Sequence, residues 1–233
     1  MTQVSGDRLE SAVELLVPEI KGRLGPSNGA CRSERVLWRE LACCVLSSQV
    51  PYELAKAAAD RIDAAGVLGE PAVEAGDALR AKLYGLLSAP FNTGLGHRHY
   101  RFPRSRAALL VAALASIRER CGTLTGLVDA ADPGAVRVFM VREVAGLGPK
   151  QASMFLRNVR MSYDMAIIDR HVVRYMVRTG LCDMAPTNLS RLSVYEAYEN
   201  ILRRQASLLG YEVGVIDWAI WIVMRAATAL ETE

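Results

Sequence analysis

Apolar residues in this chain recur every three or four positions, the spacing of helix faces, and no stretch sustains the alternation of a half-buried strand. From Arg35 to Gln49, Val36, Leu37, Leu41, Val45 and Leu46 form one stripe, and Pro51 then closes or restarts the helix. A second, alanine-rich helix is predicted near Glu53 to Ala64. Arg106 to Arg120 aligns Leu109, Leu110, Ala113, Leu114 and Ile117, leaves Arg118, Glu119 and Arg120 for solvent, and stops at Cys121-Gly122. Val136 to Val144 and Gln151 to Val159 read as two helices separated by the breaker Gly146-Leu147-Gly148-Pro149. Asp169 opens a helix running towards Arg178, and Tyr195 to Trp221 holds two more, interrupted at Gly210 and Gly214. The fold class that follows is all-α. Pro90 to Arg104 stands apart, because it mixes glycine, proline, aromatics and arginines without a period, and it reads as a loop.

Composition narrows the picture. The chain has 233 residues, 51% apolar and 23% charged, with mean hydropathy +0.14. That is enough to bury a core as one compact domain or two packed lobes, and it excludes disordered and fibrous classes. The net charge of +3 is too small to signal nucleic acid by itself, so any basic footprint must be local. Only four of the 28 basic residues are lysines (Lys21, Lys56, Lys82 and Lys150), so each lysine invites a question. The five cysteines, Cys31, Cys43, Cys44, Cys121 and Cys182, are odd in number and lack C-x-x-C spacing. They are expected to be buried thiols rather than disulfides or metal ligands. No apolar run is expected to reach the roughly 18 to 20 residues of a bilayer span, and the N-terminal stretch lacks a secretion pattern. A soluble cytoplasmic protein with no membrane contact is the expectation.

The strongest chemical signal is Val144-Ala-Gly-Leu-Gly-Pro-Lys-Gln-Ala-Ser153. Glycines permit a tight interhelical turn, and the helix behind it offers unpaired N–H groups to an anion such as phosphate. Lys150 falls in the first turn of that helix, where the dipole disfavours a cation by up to about 1 kcal/mol. Free lysine is almost wholly protonated at neutral pH, and nucleophilic attack needs the neutral amine, so the position suits covalent catalysis. Asp169 follows an apolar stretch and precedes Arg170-His171; it is a favoured N-cap and also a carboxylate able to stabilise developing positive charge on a sugar ring. His171 in the first turn is expected to offer an N–H to phosphate.

Charge is uneven along the chain. Lys150, Arg157, Arg160, Arg170, Arg174 and Arg178 face only Asp164 and Asp169 over that stretch, a local excess above that of the whole chain. The Pro90 to Arg106 segment adds Arg98, Arg101, Arg104 and Arg106 with His97, His99 and Tyr100 and no acid. Arginines interleaved with aromatics suit phosphate contact and stacking on unpaired bases.

The run Phe139-Met-Val-Arg-Glu-Val-Ala-Gly-Leu-Gly-Pro-Lys-Gln-Ala-Ser-Met-Phe-Leu-Arg-Asn-Val159, followed by Ala166-Ile-Ile-Asp-Arg-His171, resembles the helix-hairpin-helix DNA glycosylases, and within them the prokaryotic 8-oxoguanine DNA glycosylase/AP lyases. Weaker similarity extends to Leu46-Ser-Ser-Gln49, Gly96-His-Arg-His-Tyr100 and Asp217-Trp-Ala-Ile-Trp221. The resemblance implies one glycosylase unit built of two helical lobes, roughly residues 50–160 with the hairpin at 144–153, and roughly 1–49 plus 161–233, with the active-site cleft between them. It implies Lys150 as the nucleophile at the sugar C1′, Asp169 as its helper, and Gly146, Leu147, Gly148, His171, Arg98 and Gln49 as DNA contacts, Gln49 filling the gap left by an extruded nucleotide. Trp221 would stack on the flipped base, with His99 in the same pocket. It implies a monomer acting on double-stranded DNA that carries a damaged base, with no cofactor beyond a monovalent cation at the hairpin carbonyls and no iron–sulfur cluster. Two alternatives stay open: a glycosylase for another modified base, and a noncatalytic DNA-binding module. Members of the closest branch also tend to end in a lysine that reaches the oxidised guanine, whereas this sequence has no lysine after Lys150, so Glu231 to Glu233 or backbone carbonyls are expected to read the base.

Overall fold

The computed structural model describes residues 4–25, 33–69, 76–93 and 96–231. Among them are α1 (Gly6–Arg23), α2 (Glu34–Leu46), α3 (Tyr52–Ala64), α4 (Gly76–Ser88), β1 (Phe91–Thr93), β2 (Gly96–Arg98), α5 (Pro103–Cys121), α6 (Leu124–Ala130), α7 (Pro133–Glu143), α8 (Pro149–Asn158), α9 (Arg170–Arg178), α10 (Leu192–Leu208) and α11 (Val213–Leu230). The predicted all-α class agrees, apart from one short hairpin in which β1 pairs antiparallel with β2, Phe91 opposite Arg98. Helices α1, α4 and α6 are additions to the sequence reading. The stripe of α1, Leu9, Val13, Val17 and Ile20, was legible at helical spacing.

Two compact units emerge, residues 30–159 and residues 1–29 with 160–233. The first boundary therefore falls at 29 and not near 49 as expected, because α2 packs on α3, α5, α6 and α8 of the first unit. Helix α2 is its central element. Leu41, Ala42, Cys43, Cys44, Val45 and Leu46 are all buried, a run that only a helix surrounded on every side produces. Val36, expected in the apolar stripe, is 51% exposed, and Trp38 takes its place in the core. Ser33 caps α2, and Glu34 reaches across to accept from Leu124 N, Thr125 N, Thr125 Oγ1 and Trp38 Nε1, tying α2 to the start of α6. Cys43 and Cys44 are buried as expected, Cys121 and Cys182 are only partly so, and Cys31 lies outside the described residues.

The second unit is organised by α11, which contacts α1, α9 and α10. Its buried residues include Val213, Val215, Ile216, Ala219, Ile220, Met224 and Ala227, joined in one cluster to Leu9, Val13 and Val17 of α1 and Val172, Tyr175 and Met176 of α9. This helix is 18 residues long with mean hydropathy 1.6, which corrects the expectation that no apolar run approaches a bilayer span; half of it is buried, in the core of this unit. Gly214, expected to interrupt the helices, sits inside the first turn of α11, where a Cβ would come within 2.7 Å of Tyr163 O. The actual break is Gly210, at φ +74°.

Candidate functional site

In the first unit, α7 and α8 form the expected hairpin. Asp132 caps α7 by accepting from Gly134 N and Ala135 N, Pro133 occupies the first helical position, and the turn Val144 to Gly148 closes with Leu147 N donating to Val144 O. The two glycines do different work. Gly146 has φ +88°, and a Cβ there would lie 3.2 Å from both Val45 Cγ1 of α2 and Leu109 Cδ1 of α5. Gly148 is extended at φ −94° and serves as a bare N-cap with no side-chain oxygen of its own. Behind it, Pro149 has no N–H, and the N–H groups of Lys150 and Gln151 meet no acceptor among the described residues. Two donors at the positive end of a helix dipole are therefore left without an acceptor among the described residues, the arrangement that binds an anion. The Leu147 side chain is only 5% exposed, so a DNA contact from this residue is limited to its main chain.

Lys150 is half-buried in the first turn of α8, with no ion pair or hydrogen bond among the described residues. A cation at a helix N-terminus without a counter-ion is unfavourable for stability alone.

The last turn of α2 is where further predicted residues gather. Tyr100 is buried and donates its hydroxyl to Leu46 O at 2.7 Å, and Arg106 Nη2 donates to Ser48 O at 3.0 Å. Between these anchored carbonyls and α3, Gln49 is exposed at φ +61°, a left-handed conformation that costs a non-glycine residue on the order of 1–3 kcal/mol and is held by its surroundings. Arg106, expected among the DNA-facing arginines, is instead turned inward under this turn, because its guanidinium is the donor that the turn's carbonyl requires. Pro90 to Arg104 is not a loop throughout: it contains the β1–β2 hairpin, and α5 already begins at Pro103. Arg61 secures the hairpin base, donating to Leu86 O, Ala89 O and Pro90 O and lying 3.6 Å over the Phe91 ring. His97, Arg98, His99, Arg101 and Arg104 are exposed beyond it.

In the second unit, Asp169 caps α9. Its Oδ1 accepts from His171 N at 2.8 Å and Val172 N at 3.1 Å, leaving Oδ2 without a partner among the described residues. The main-chain N–H of His171 is thereby taken, which corrects any expectation that it is free for phosphate. Arg170 Nε meets His171 Nε2 at 3.4 Å, and the buried Nδ1 has no partner. Burial pushes the His171 imidazole below its ordinary value, and Arg170, Arg174 and Arg225 push the same way, against Asp169. Trp221 is half-buried on α11 with the Arg225 guanidinium 4.5 Å from its ring centre. Asp169, His171, Arg174, Trp221 and Arg225 thus share the α9 and α11 region, and His99 belongs to the other unit. Glu231, expected to read the base, has both carboxylate oxygens on Arg178 and also accepts from Val4 N, so it is committed to holding the unit together. Residues 232 and 233 lie outside the described residues.

The sequence profile of 8-oxoguanine DNA glycosylases matches residues 27–211. The chain belongs to the 8-oxoguanine DNA glycosylase family. It is 34% identical over 193 residues to an 8-oxoguanine DNA glycosylase/AP lyase of Thermotoga petrophila, covering 83% of this chain and 82% of the relative. The corresponding protein of Saccharolobus solfataricus is 30% identical over 191 residues, covering 81% and 82%. Among solved structures, the 8-oxoguanine DNA glycosylase of Thermotoga maritima superposes with a TM-score of 0.67 at 30% identity over 93% of each chain. The Methanocaldococcus jannaschii 8-oxoguanine glycosylase/lyase, solved with a 15mer DNA containing 8-oxoguanine, gives 0.62 at 28% identity over 92% of this chain and 88% of that one.

Within this 8-oxoguanine DNA glycosylase family fold, the residues that support the predicted contacts carry little signal in the linear pattern. Tyr100 and Arg106 fall in the arginine-rich segment, and nothing in a linear pattern shows that they hold the turn bearing Gln49. Arg225 was legible, since it lies four residues after Trp221 on a helix, where side chains meet.

Proposed function

We propose that this protein removes 8-oxoguanine from double-stranded DNA and then nicks the resulting abasic site, with Lys150 as nucleophile. Membership of the family supports the activity, and the observation that carries the residue assignment is Lys150, in the first turn of the helix behind the hairpin and unpaired among the described residues. The neutral Lys150 amine attacks the sugar C1′ as the N-glycosidic bond breaks, and the bonding electron pair leaves with the base, which gains a proton. One amine proton is then lost and the sugar ring opens, the C1′–O4′ bonding pair and a proton going to O4′, which leaves a protonated imine between Lys150 and C1′. Removal of a C2′ proton then expels the 3′ phosphate by breaking the C3′–O bond. The Asp169 side chain, fixed by its two N–H bonds, stabilises the positive charge that develops on the sugar.

The hairpin contributes the N–H groups of Lys150 and Gln151 to a phosphate. Arg98 at the end of the β-hairpin and the exposed Arg101 and Arg104 after it add charge, Gln49 is presented for insertion into the duplex, and Trp221 offers the π surface a flipped base needs. A monovalent cation fits the same turn, where the carbonyls of Ala145, Gly146 and Leu147 accept no hydrogen bond among the described residues; bound there, it would add positive potential beneath a phosphate. One flipped nucleotide needs one copy of the chain, and a DNA substrate puts its work in the compartment of the genome, the cytoplasm of a prokaryote. The test is borohydride trapping on duplexes containing 8-oxoguanine, guanine or an oxidised pyrimidine. A covalent adduct formed with 8-oxoguanine alone supports the reading; trapping only with the pyrimidine replaces the substrate, and none with any duplex or with abasic DNA removes the lysine chemistry.

A further inference from the structure

The segment between Tyr163 and Asp169 is neither helix nor strand, yet Met165, Ala166, Ile167 and Ile168 are buried. Buried main chain outside regular structure must find hydrogen-bond partners, and here side chains supply them. Glu199 Oε1 of α10 accepts from Ala166 N at 2.9 Å. Asp217 Oδ2 of α11 accepts from Ile167 N. The Tyr195 hydroxyl of α10 accepts from Ile168 N at 2.9 Å and donates to Ala166 O at 2.7 Å. Three consecutive N–H groups are thus read by three side chains from two helices. Upstream, Gly214 N donates to Tyr163 O at 2.8 Å, and Arg203, itself paired with Glu199, donates to Asp164 O.

Glu199 and Asp217 are 1% and 2% exposed, an expensive place for carboxylates that could be replaced by apolar groups if only packing were needed. What they hold is specific. Two residues after Ile167 comes Asp169, and four residues after Asp217, one helical turn along α11, comes Trp221. The Asp217 bond therefore joins the helix that bears the stacking ring directly to the strand of chain that delivers the carboxylate.

Resting on the function proposed above, we infer that Asp217, Tyr195 and Glu199 are positioning residues which set Asp169 and register it against Trp221, so that base capture and sugar chemistry share one rigid frame. They touch no substrate; they act through Asp169. A displacement of about 1 Å in a reacting group costs on the order of a hundredfold in rate, which sets the scale of the expected effect.

The experiment uses the full-length protein in single-turnover excision from an 8-oxoguanine duplex, with binding to a tetrahydrofuran abasic-analogue duplex and thermal melting measured in parallel. Asp217→Ala is expected to slow excision roughly ten- to a hundredfold while affinity for the analogue duplex stays within about threefold. Asp217→Asn keeps an acceptor oxygen for Ile167 N and recovers most of the rate. Tyr195→Phe removes both hydroxyl bonds with little change in shape, and it tests the idea if Asp217→Ala fails to fold. The deciding measurement is the double variant Asp169→Asn with Asp217→Ala: residues acting through one another are non-additive, so it should be little slower than Asp169→Asn alone. Losses that multiply in the double variant, or folded Asp217→Ala and Tyr195→Phe proteins that excise within about threefold of the parent, overturn the inference. A parent protein that excises no 8-oxoguanine overturns the proposed function instead, a result visible before any variant is made.

Discussion

Replacing Asp169 by asparagine separates its two roles. The native carboxylate uses Oδ1 for both capping bonds, to His171 N and Val172 N, and an asparagine oxygen can keep them. Asparagine caps about as well as aspartate, so the stability lost is mainly the charge–dipole term at the start of α9, roughly 0.3–1 kcal/mol. For a chain of this size that lowers the melting temperature by at most about 2–4 °C. A protein stable by about 5–15 kcal/mol stays folded through such a change, so any large rate loss belongs to the chemistry. Oδ2, which has no partner among the described residues, becomes an NH₂ donor aimed where an acceptor was. Removing one preorganised charge-stabilising group costs about 2.7–4 kcal/mol of barrier, or a rate loss of roughly 10²–10³. The assay is single-turnover excision from an 8-oxoguanine duplex at saturating enzyme, beside a melting curve. Excision within about threefold of the parent would reduce Asp169 to a cap, and a fall in melting temperature well beyond 4 °C would show that the capping argument is wrong.

Lys150→Gln should abolish the borohydride-trapped adduct on abasic DNA while leaving duplex affinity close to that of the parent, since the N–H groups of the turn remain; a fully trappable variant would reassign the nucleophile. Arg98→Ala should weaken binding to lesion and undamaged duplex alike and flatten the slope of log K against log salt by up to about one unit, whereas a loss confined to the lesion duplex would place Arg98 at the base. Glu34 sits below its ordinary carboxyl value of 4.5, because although burial pushes it up, its hydrogen bonds with Thr125, Leu124 and Trp38 together push it down further. Its lowered value makes its contribution fully present above the unfolded value and lost as pH falls through the folded one. Glu34→Ala should therefore destabilise by about 1–3 kcal/mol at neutral pH, and the gap from the parent should narrow on acidification; a gap constant down to strong acid would contradict the assignment.

What this sequence determined by itself is whatever depends on near neighbours along the chain. Helical spacing located the core of α5, Gly122 marked its end, the Gly-x-Gly-Pro run located the turn between α7 and α8, and Asp169 announced its cap, because each is set by contacts three or four residues away. Lys150 was legible for the same reason, as a cation in the wrong turn of a helix. Tertiary structure decided what competes for each group from a distance. Val36 lies on the apolar stripe but faces out, and Leu147 sits in the turn but points in, since burial depends on which elements arrive on each side of a helix. Arg106 and Glu231, both charged and apparently available, are consumed by Ser48 O and by Arg178 with Val4 N. Gly214 reads as a breaker yet lies within α11, because only a residue without a Cβ lets that helix meet the carbonyls of Tyr163 and Met165. The run Met165 to Ile168 carries no periodic signal, and its shape comes from Tyr195, Glu199 and Asp217, at least 27 positions further along the chain, since buried N–H groups take their partners from whatever the fold brings to them.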